Sequence, residues 1–230
     1  MEPGSSTSCW DKLLINSAVL GDFEGVGVAL ESGGRVGTRK DGWTPLIGAA
    51  LHGHTDVCCL LLDHGSSLEE REFGTDNTAL HEAALFGHLA TVATLLDWTP
   101  EKAGTLVNLK NQSGFTPLTT ACQEGHLDCV LLLLEAGAEP LQTHQGSWPT
   151  HVAAKRNHVA VVETLLDFGC GLELVGMEVL KLYPDFTHKY DFKNKGGVAG
   201  PETPKIQALP EWGGRSDPCL DFCEGFVHMH

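Results

Sequence analysis

Twelve histidines and eight cysteines give this 230-residue chain many side chains able to ligate a metal or act as nucleophiles. Four of them, Cys219, Cys223, His228 and His230, fall close together in the order Cys-x3-Cys-x4-His-x-His. A structural zinc site needs four such donors in tetrahedral reach, and the closing His-x-His leaves little room for both rings. The cluster is therefore read as coincidence. The sequence contains no Gly-x-Ser-x-Gly nucleophile turn and no Gly-x4-Gly-Lys-Ser/Thr phosphate loop, and Gly25-Val26-Gly27 is only a fragment of a dinucleotide-binding turn. The expectation is a protein with no catalytic residues, no metal and no cofactor.

Half of the histidines recur in a fixed register, which points to the elements that position them. Four helix-opening tetrapeptides, Thr44-Pro45-Leu46-Ile47, Thr78-Ala79-Leu80-His81, Thr116-Pro117-Leu118-Thr119 and Trp148-Pro149-Thr150-His151, start 34, 38 and 32 residues apart. Nine positions after each start come Gly53-His54, Gly87-His88, Gly125-His126 and Asn157-His158; Leu61-Leu62, Leu95-Leu96, Leu133-Leu134 and Leu165-Leu166 follow. A Thr hydroxyl can cap the exposed amides of a first helical turn, and Pro at the next position has the right φ and no amide to waste. The small pairs Ala49-Ala50, Ala83-Ala84, Ala121-Cys122 and Ala153-Ala154 allow helices to approach closely. Glycine at the corner can take the left-handed conformation that ends a first helix, and Asn157 is the next best residue there. Each second helix is predicted from about Asp56 to Leu62 and its equivalents, stopped by Gly65, Gly137 and Gly169. An imidazole after the corner can bridge backbone and hydroxyl groups of neighbouring repeats, which assigns these histidines a structural role.

This pattern, with a period near 33, resembles the ankyrin repeat. The resemblance implies an all-α solenoid of helix-turn-helix repeats with β-turn fingers. Read backwards, the register finds a degraded copy in which Lys12-Leu13-Leu14-Ile15 takes the tetrapeptide place and Gly21-Asp22 the corner. End repeats of a solenoid are commonly atypical. The repeat domain is thus placed at 10–178, with repeats at about 10–40, 41–74, 75–112, 113–145 and 146–178. Repeat three carries about five extra residues within Asp97 to Gly104, which map to a surface loop. From 179 to 230 the register fails. Met177, Val179, Leu180 and Leu182 could close the stack with one apolar turn, and the Gly, Pro and Lys clusters beyond Thr187 read as a flexible tail.

Through Glu178 there are 9 Lys and Arg against 23 Asp and Glu, within a net charge of −15. Such a balance opposes binding to nucleic acid or to an anionic membrane, since both need a basic face. It favours a partner protein with a basic surface. No apolar run approaches the roughly 20 residues of a membrane helix. A basic-then-apolar leader is missing from the start, so an intracellular protein, cytoplasmic or nuclear, is expected. Cys58, Cys122 and Cys129 occupy places where the pattern wants Val or Ala, which suits free buried thiols better than disulfides.

What the resemblance implies for function is recognition of another protein on a concave surface, as a scaffold or adaptor. In the family, that surface is formed by the fingertip residue before the Thr and by the two residues before the corner. Here these are Trp43, Leu51 and His52; Asn77, Leu85 and Phe86; Phe115, Gln123 and Glu124; and Ser147, Lys155 and Arg156. Trp43 and Phe115 have a second use open to them, packing against neighbouring fingers. The alternative function is a substrate receptor of a ubiquitin ligase complex. Some ankyrin proteins reach the ligase through a Leu-rich C-terminal SOCS box, which the scattered aliphatics of 187–230 do not match. The resemblance also marks Asn108, preceded by Val107, as an acceptor for an asparaginyl hydroxylase, although Asn is equally a good turn residue.

Overall fold

The computed structural model describes residues 8–98 and 104–170. Among these residues ten helices fall in five pairs: α1 Cys9–Leu20 with α2 Phe23–Glu31, α3 Pro45–Leu51 with α4 Thr55–Asp63, α5 Ala79–Leu85 with α6 Leu89–Asp97, α7 Pro117–Glu124 with α8 Leu127–Glu135, and α9 Pro149–Lys155 with α10 Val159–Asp167; 104–106 are also helical. The first helices of successive pairs contact one another, α1 to α3, α3 to α5, α5 to α7 and α7 to α9. The second helices form a parallel row, α2 to α4 and onward to α10. This is an all-α repeat solenoid with an inner and an outer layer. No strand occurs among the described residues, and the fingers between pairs are turns, with Lys40 and Trp43 in an isolated bridge.

Local chemistry explains each start and stop. Thr44 and Thr116 accept hydrogen bonds from the amides of Ile47 and Thr119, at 3.4 and 3.3 Å, and Pro45, Pro117 and Pro149 occupy the first turn. Trp148 stands at the cap of α9 and offers no such bond. Ala49, Ala83, Ala121 and Ala153 are fully buried between inner helices, while Leu61, Leu95, Leu133 and Leu165 fill the space between the layers. The core is thus a continuous stripe to which every repeat contributes the same few positions.

The first pair departs from the predicted register. Leu13 carries the amide that Pro45 lacks, so nothing ends the helix there, and α1 continues backwards to Cys9. Ser8 caps it: Ser8 Oγ accepts from the Asp11 amide and Asp11 Oδ2 from the Ser8 amide, each at 3.0 Å. Asp11 also accepts from the Arg35 guanidinium at 2.7 Å and the Arg35 amide at 2.9 Å, which hold its carboxyl well below the usual carboxylate range. Gly25 and Gly27 lie inside α2 without breaking it. The proposed closing turn at Met177 to Leu182, the tail and the Cys219 to His230 cluster lie outside the described residues, as do 99–103 of the inserted loop.

Candidate partner-binding groove

The corner between helices is where structure and exposure are set together. Gly53 has φ +74°, and a Cβ on it would sit 2.6 Å from the ring of His88 in the next repeat. Gly21 faces His54, Gly87 faces His126 and Gly125 faces His158 in the same way. Glycine is therefore required twice, for its backbone and for the ring stacked on it. Asn157, at φ +63°, takes the last of these corners.

Each of those rings reaches back to the preceding inner helix. Nε2 of His54, His88, His126 and His158 lies 3.2, 2.9, 3.0 and 3.0 Å from the carbonyls of Val19, Leu51, Leu85 and Gln123. A carbonyl only accepts, so Nε2 carries the proton in every case. His81 is fully buried and does similar work inside the stack: Nε2–H donates to the Phe115 carbonyl at 3.0 Å, and Nδ1 accepts from the Thr78 hydroxyl at 2.9 Å. Burial pushes its pKa down to about 4, so the ring is neutral.

The residues whose carbonyls are held this way, Val19, Leu51, Leu85 and Gln123, are half-buried, and the residue after each is exposed. Leu20 is 76% and Phe86 51% exposed, and His52, Glu124 and Arg156 complete that column, with Lys155 also exposed. The hydrogen bonds that join repeats thus fix the backbone beneath a row of side chains that the stack leaves in solvent. Val19 and Leu20 are missing from the sequence-based set. The signal was there, since they precede the Gly21 corner, but the degraded first copy obscured it.

At its first step the row faces a finger, Lys40 to Trp43. Trp43, Phe115 and Ser147 are half-buried, and Trp43 packs partly on the core. Near the first repeat, an open apolar groove of about 530 Å³ is bounded by Ile15, Val19 and Leu20 on α1 and by Lys40, Asp41 and Trp43 on the finger. Asn77 requires a correction. It is only 8% exposed; its amide donates to Glu82 Oε1 at 2.8 Å and its carbonyl oxygen accepts from Asn111 Nδ2 at 2.8 Å. Its finger is longer, closing from Glu72 to Asn77, and Asp76 at φ +59° takes the exposed turn, so Asn77 points into a buried polar network. Burial raises the Glu82 carboxyl's pKa, opposed by the hydrogen bond from Asn77. Phe73, unforeseen in the sequence, is 69% exposed at that fingertip with the Arg39 guanidinium 4.8 Å from its ring centre.

Asn108 is half-buried and braced across the finger, donating to the Gly104 carbonyl at 3.0 Å and accepting from the Glu139 amide at 2.8 Å. Cys58, Cys122, Cys129 and Cys170 are buried free thiols. Burial raises their pKa values, to about 11 for Cys129 and Cys170, which suppresses the thiolate. Among the described residues no three His, Cys, Asp or Glu side chains are grouped to hold a metal ion, and no helix is long and apolar enough to cross a membrane.

The family profile described as ankyrin repeats (3 copies) matches residues 13–103 and 101–175. The chain belongs to the ankyrin repeat family. Similar ankyrin proteins include a probable E3 ubiquitin-protein ligase of Oryza sativa subsp. japonica, 30% identical over 152 residues, 55% of this chain and 31% of the relative. A target of rapamycin complex 2 subunit of Saccharomyces cerevisiae is 29% identical over 133 residues, 56% of this chain and 30% of the relative. The ankyrin repeat protein nuc-2 of Neurospora crassa is 29% identical over 182 residues, covering 79% of this chain and 16% of the relative. The chain spans less than a third of the length of each of these relatives. Ankyrin repeats form protein–protein interaction domains.

Proposed function

We propose that this chain is an intracellular scaffold or adaptor that binds a partner protein along the groove between its fingers and inner helices. The observation that carries the reading is the column Leu20, His52, Phe86, Glu124 and Arg156, which stays exposed although the neighbouring backbone is pinned repeat by repeat and the Phe86 ring stacks on His88. Two of these are large apolar groups, costly to leave in water and able to anchor an interface. The net charge of −15 favours approach of a partner with a basic surface. Proximity labelling in cells tests the reading by comparing the chain with a Leu20→Ser, Phe86→Ser variant of unchanged melting midpoint. Loss of a discrete set of labelled proteins is expected; an identical set from both chains would remove the groove from the account.

A second reading, substrate receptor of a ubiquitin ligase complex, is favoured by the E3 ubiquitin-protein ligase names of relatives from rice and Arabidopsis thaliana. It predicts that a labelled partner accumulates when this chain is depleted. Asn108 is also proposed as a site of asparaginyl hydroxylation, for which the local finger must open, because both ends of its amide are bonded. Mass spectrometry of the peptide from protein made in animal cells is expected to show one added oxygen there, and its absence with the hydroxylase active refutes the site.

A further inference from the structure

The exposed row changes character along the stack, and the change identifies the chemistry of what lies on it. Its first three steps are mostly apolar: Val19 and Leu20, then Leu51 and His52, then Leu85 and Phe86. The fourth step is Gln123 and Glu124, whose side chains are joined by a 2.8 Å hydrogen bond from the amide to the carboxylate. The fifth is Lys155 and Arg156, both exposed.

That basic pair differs from five cations of the fingers, which are occupied. Arg35 is paired with Asp11 at 2.7 Å, and Lys40 donates to Asn16 at 3.0 Å. Arg39 donates to the Arg71 carbonyl at 2.6 Å, Arg71 to the Lys110 carbonyl at 2.7 Å and Lys110 to the Gln142 carbonyl at 2.8 Å. These side chains tie one finger to the next. Lys155 and Arg156 make no side-chain hydrogen bond or ion pair among the described residues. They are cations on an inner-helix end in a chain of net charge −15, where the equivalent places of the other repeats are neutral or acidic.

We propose that the groove holds a segment of a partner protein with large apolar side chains at one end and a carboxylate at the other. The apolar anchors lie over repeats one to three, and the carboxylate lies between Lys155 and Arg156. The proposal rests on the groove-binding reading above and adds the polarity and chemistry of the occupant. It separates two charge effects. The acidic chain attracts a basic protein at long range, whereas the groove selects an acidic and apolar segment at contact. Adjacent packed helices lie about 8 to 10 Å apart, so Phe86 and Arg156, two repeats apart, are separated by about 16 to 20 Å. An extended segment rising about 3.3 Å per residue covers that in about five or six residues.

Selection of a random peptide library on the full chain tests this, followed by affinity measurement of the enriched peptides as synthetic probes. Peptides with an apolar residue and, about five or six residues away, Asp or Glu are expected. Their affinity should fall roughly tenfold with Lys155→Glu, Arg156→Glu and return when the peptide acid is exchanged for Lys. Lys155→Gln, Arg156→Gln serves if the reversal impairs folding, judged by circular dichroism. Peptides lost with Leu20→Ser, Phe86→Ser but indifferent to the basic pair would overturn the proposed polarity while leaving the groove intact. Peptides indifferent to both variants, or none enriched over the Leu20→Ser, Phe86→Ser chain, would overturn both.

Discussion

The first repeat and the interior repeats are built on one register but meet different surroundings. In the second repeat Leu60 is half-buried and packs on the core; at the same place in the first repeat Val28 is 51% exposed. Trp10 and Phe23, also in the first repeat, are 41% and 37% exposed. The interior repeats are held on both sides by rings stacked on glycines and by carbonyl bonds, whereas among the described residues the first repeat is held from one side. It compensates with local devices, the Ser8 and Asp11 capping box and the Asp11 to Arg35 pair. Stability in this solenoid is a property of shared interfaces, so a repeat with one neighbour can lose its consensus features and still fold.

The largest effect that sharpens the contrast is truncation of the interior core. Leu133→Ala should cost about 2 to 5 kcal/mol, the usual loss for a buried Leu, since Leu133 is fully buried. Leu13→Ala should cost clearly less, because Leu13 is half-buried in the first repeat. Urea melts of the two variants measure the difference, and equal losses would contradict it.

Acid offers a second break. The folded pKa of His81, about 4, lies below the ordinary 6.5, so the unfolded chain takes up this proton first. Its contribution is present above about pH 6.5 and is lost as the pH falls towards 4, on the order of 3 kcal/mol. The difference in unfolding free energy between the parent and His81→Gln, followed from pH 7 to pH 4, should narrow accordingly. A constant difference would mean that the ring takes up its proton in the fold as readily as in the unfolded chain. Glu82 titrates in both chains and largely cancels in the comparison.

A smaller effect distinguishes corners from helix ends. Gly53→Ala meets both a left-handed backbone and the His88 ring, whereas Gly137→Ala, at φ +86°, has nothing within 4 Å of the new Cβ. The second should cost about 1 to 2 kcal/mol from backbone strain alone, and the first measurably more. Equal costs in thermal melts would show that the ring moves aside freely.

Much of this was legible in the residues. Thr-Pro starts, glycine corners and paired leucines are short-range devices, and they appear where the register puts them because each acts within a turn or two. The start of α1 was not legible, since it depends on the lack of a proline at Leu13 and on a cap four residues before Lys12. Asn77 was misplaced for a similar reason: finger length sets which residue occupies the tip, and the inward turn depends on Glu82 and Asn111, the latter 34 positions away. Lys155 and Arg156 were visible as charges, but only the contacts of Arg39, Arg71 and Lys110 reveal that these finger cations are spent.

The central claim, that the exposed row binds while the buried rows hold the stack, is tested most directly by pairing Phe86→Ala with Leu95→Ala. Binding to a partner recovered by proximity labelling and unfolding free energy are measured for both. Phe86→Ala should weaken binding by about 1 to 2 kcal/mol or more with stability nearly unchanged, and Leu95→Ala should lose stability while its folded fraction binds normally. Full binding by Phe86→Ala together with a lowered melting midpoint would contradict the account.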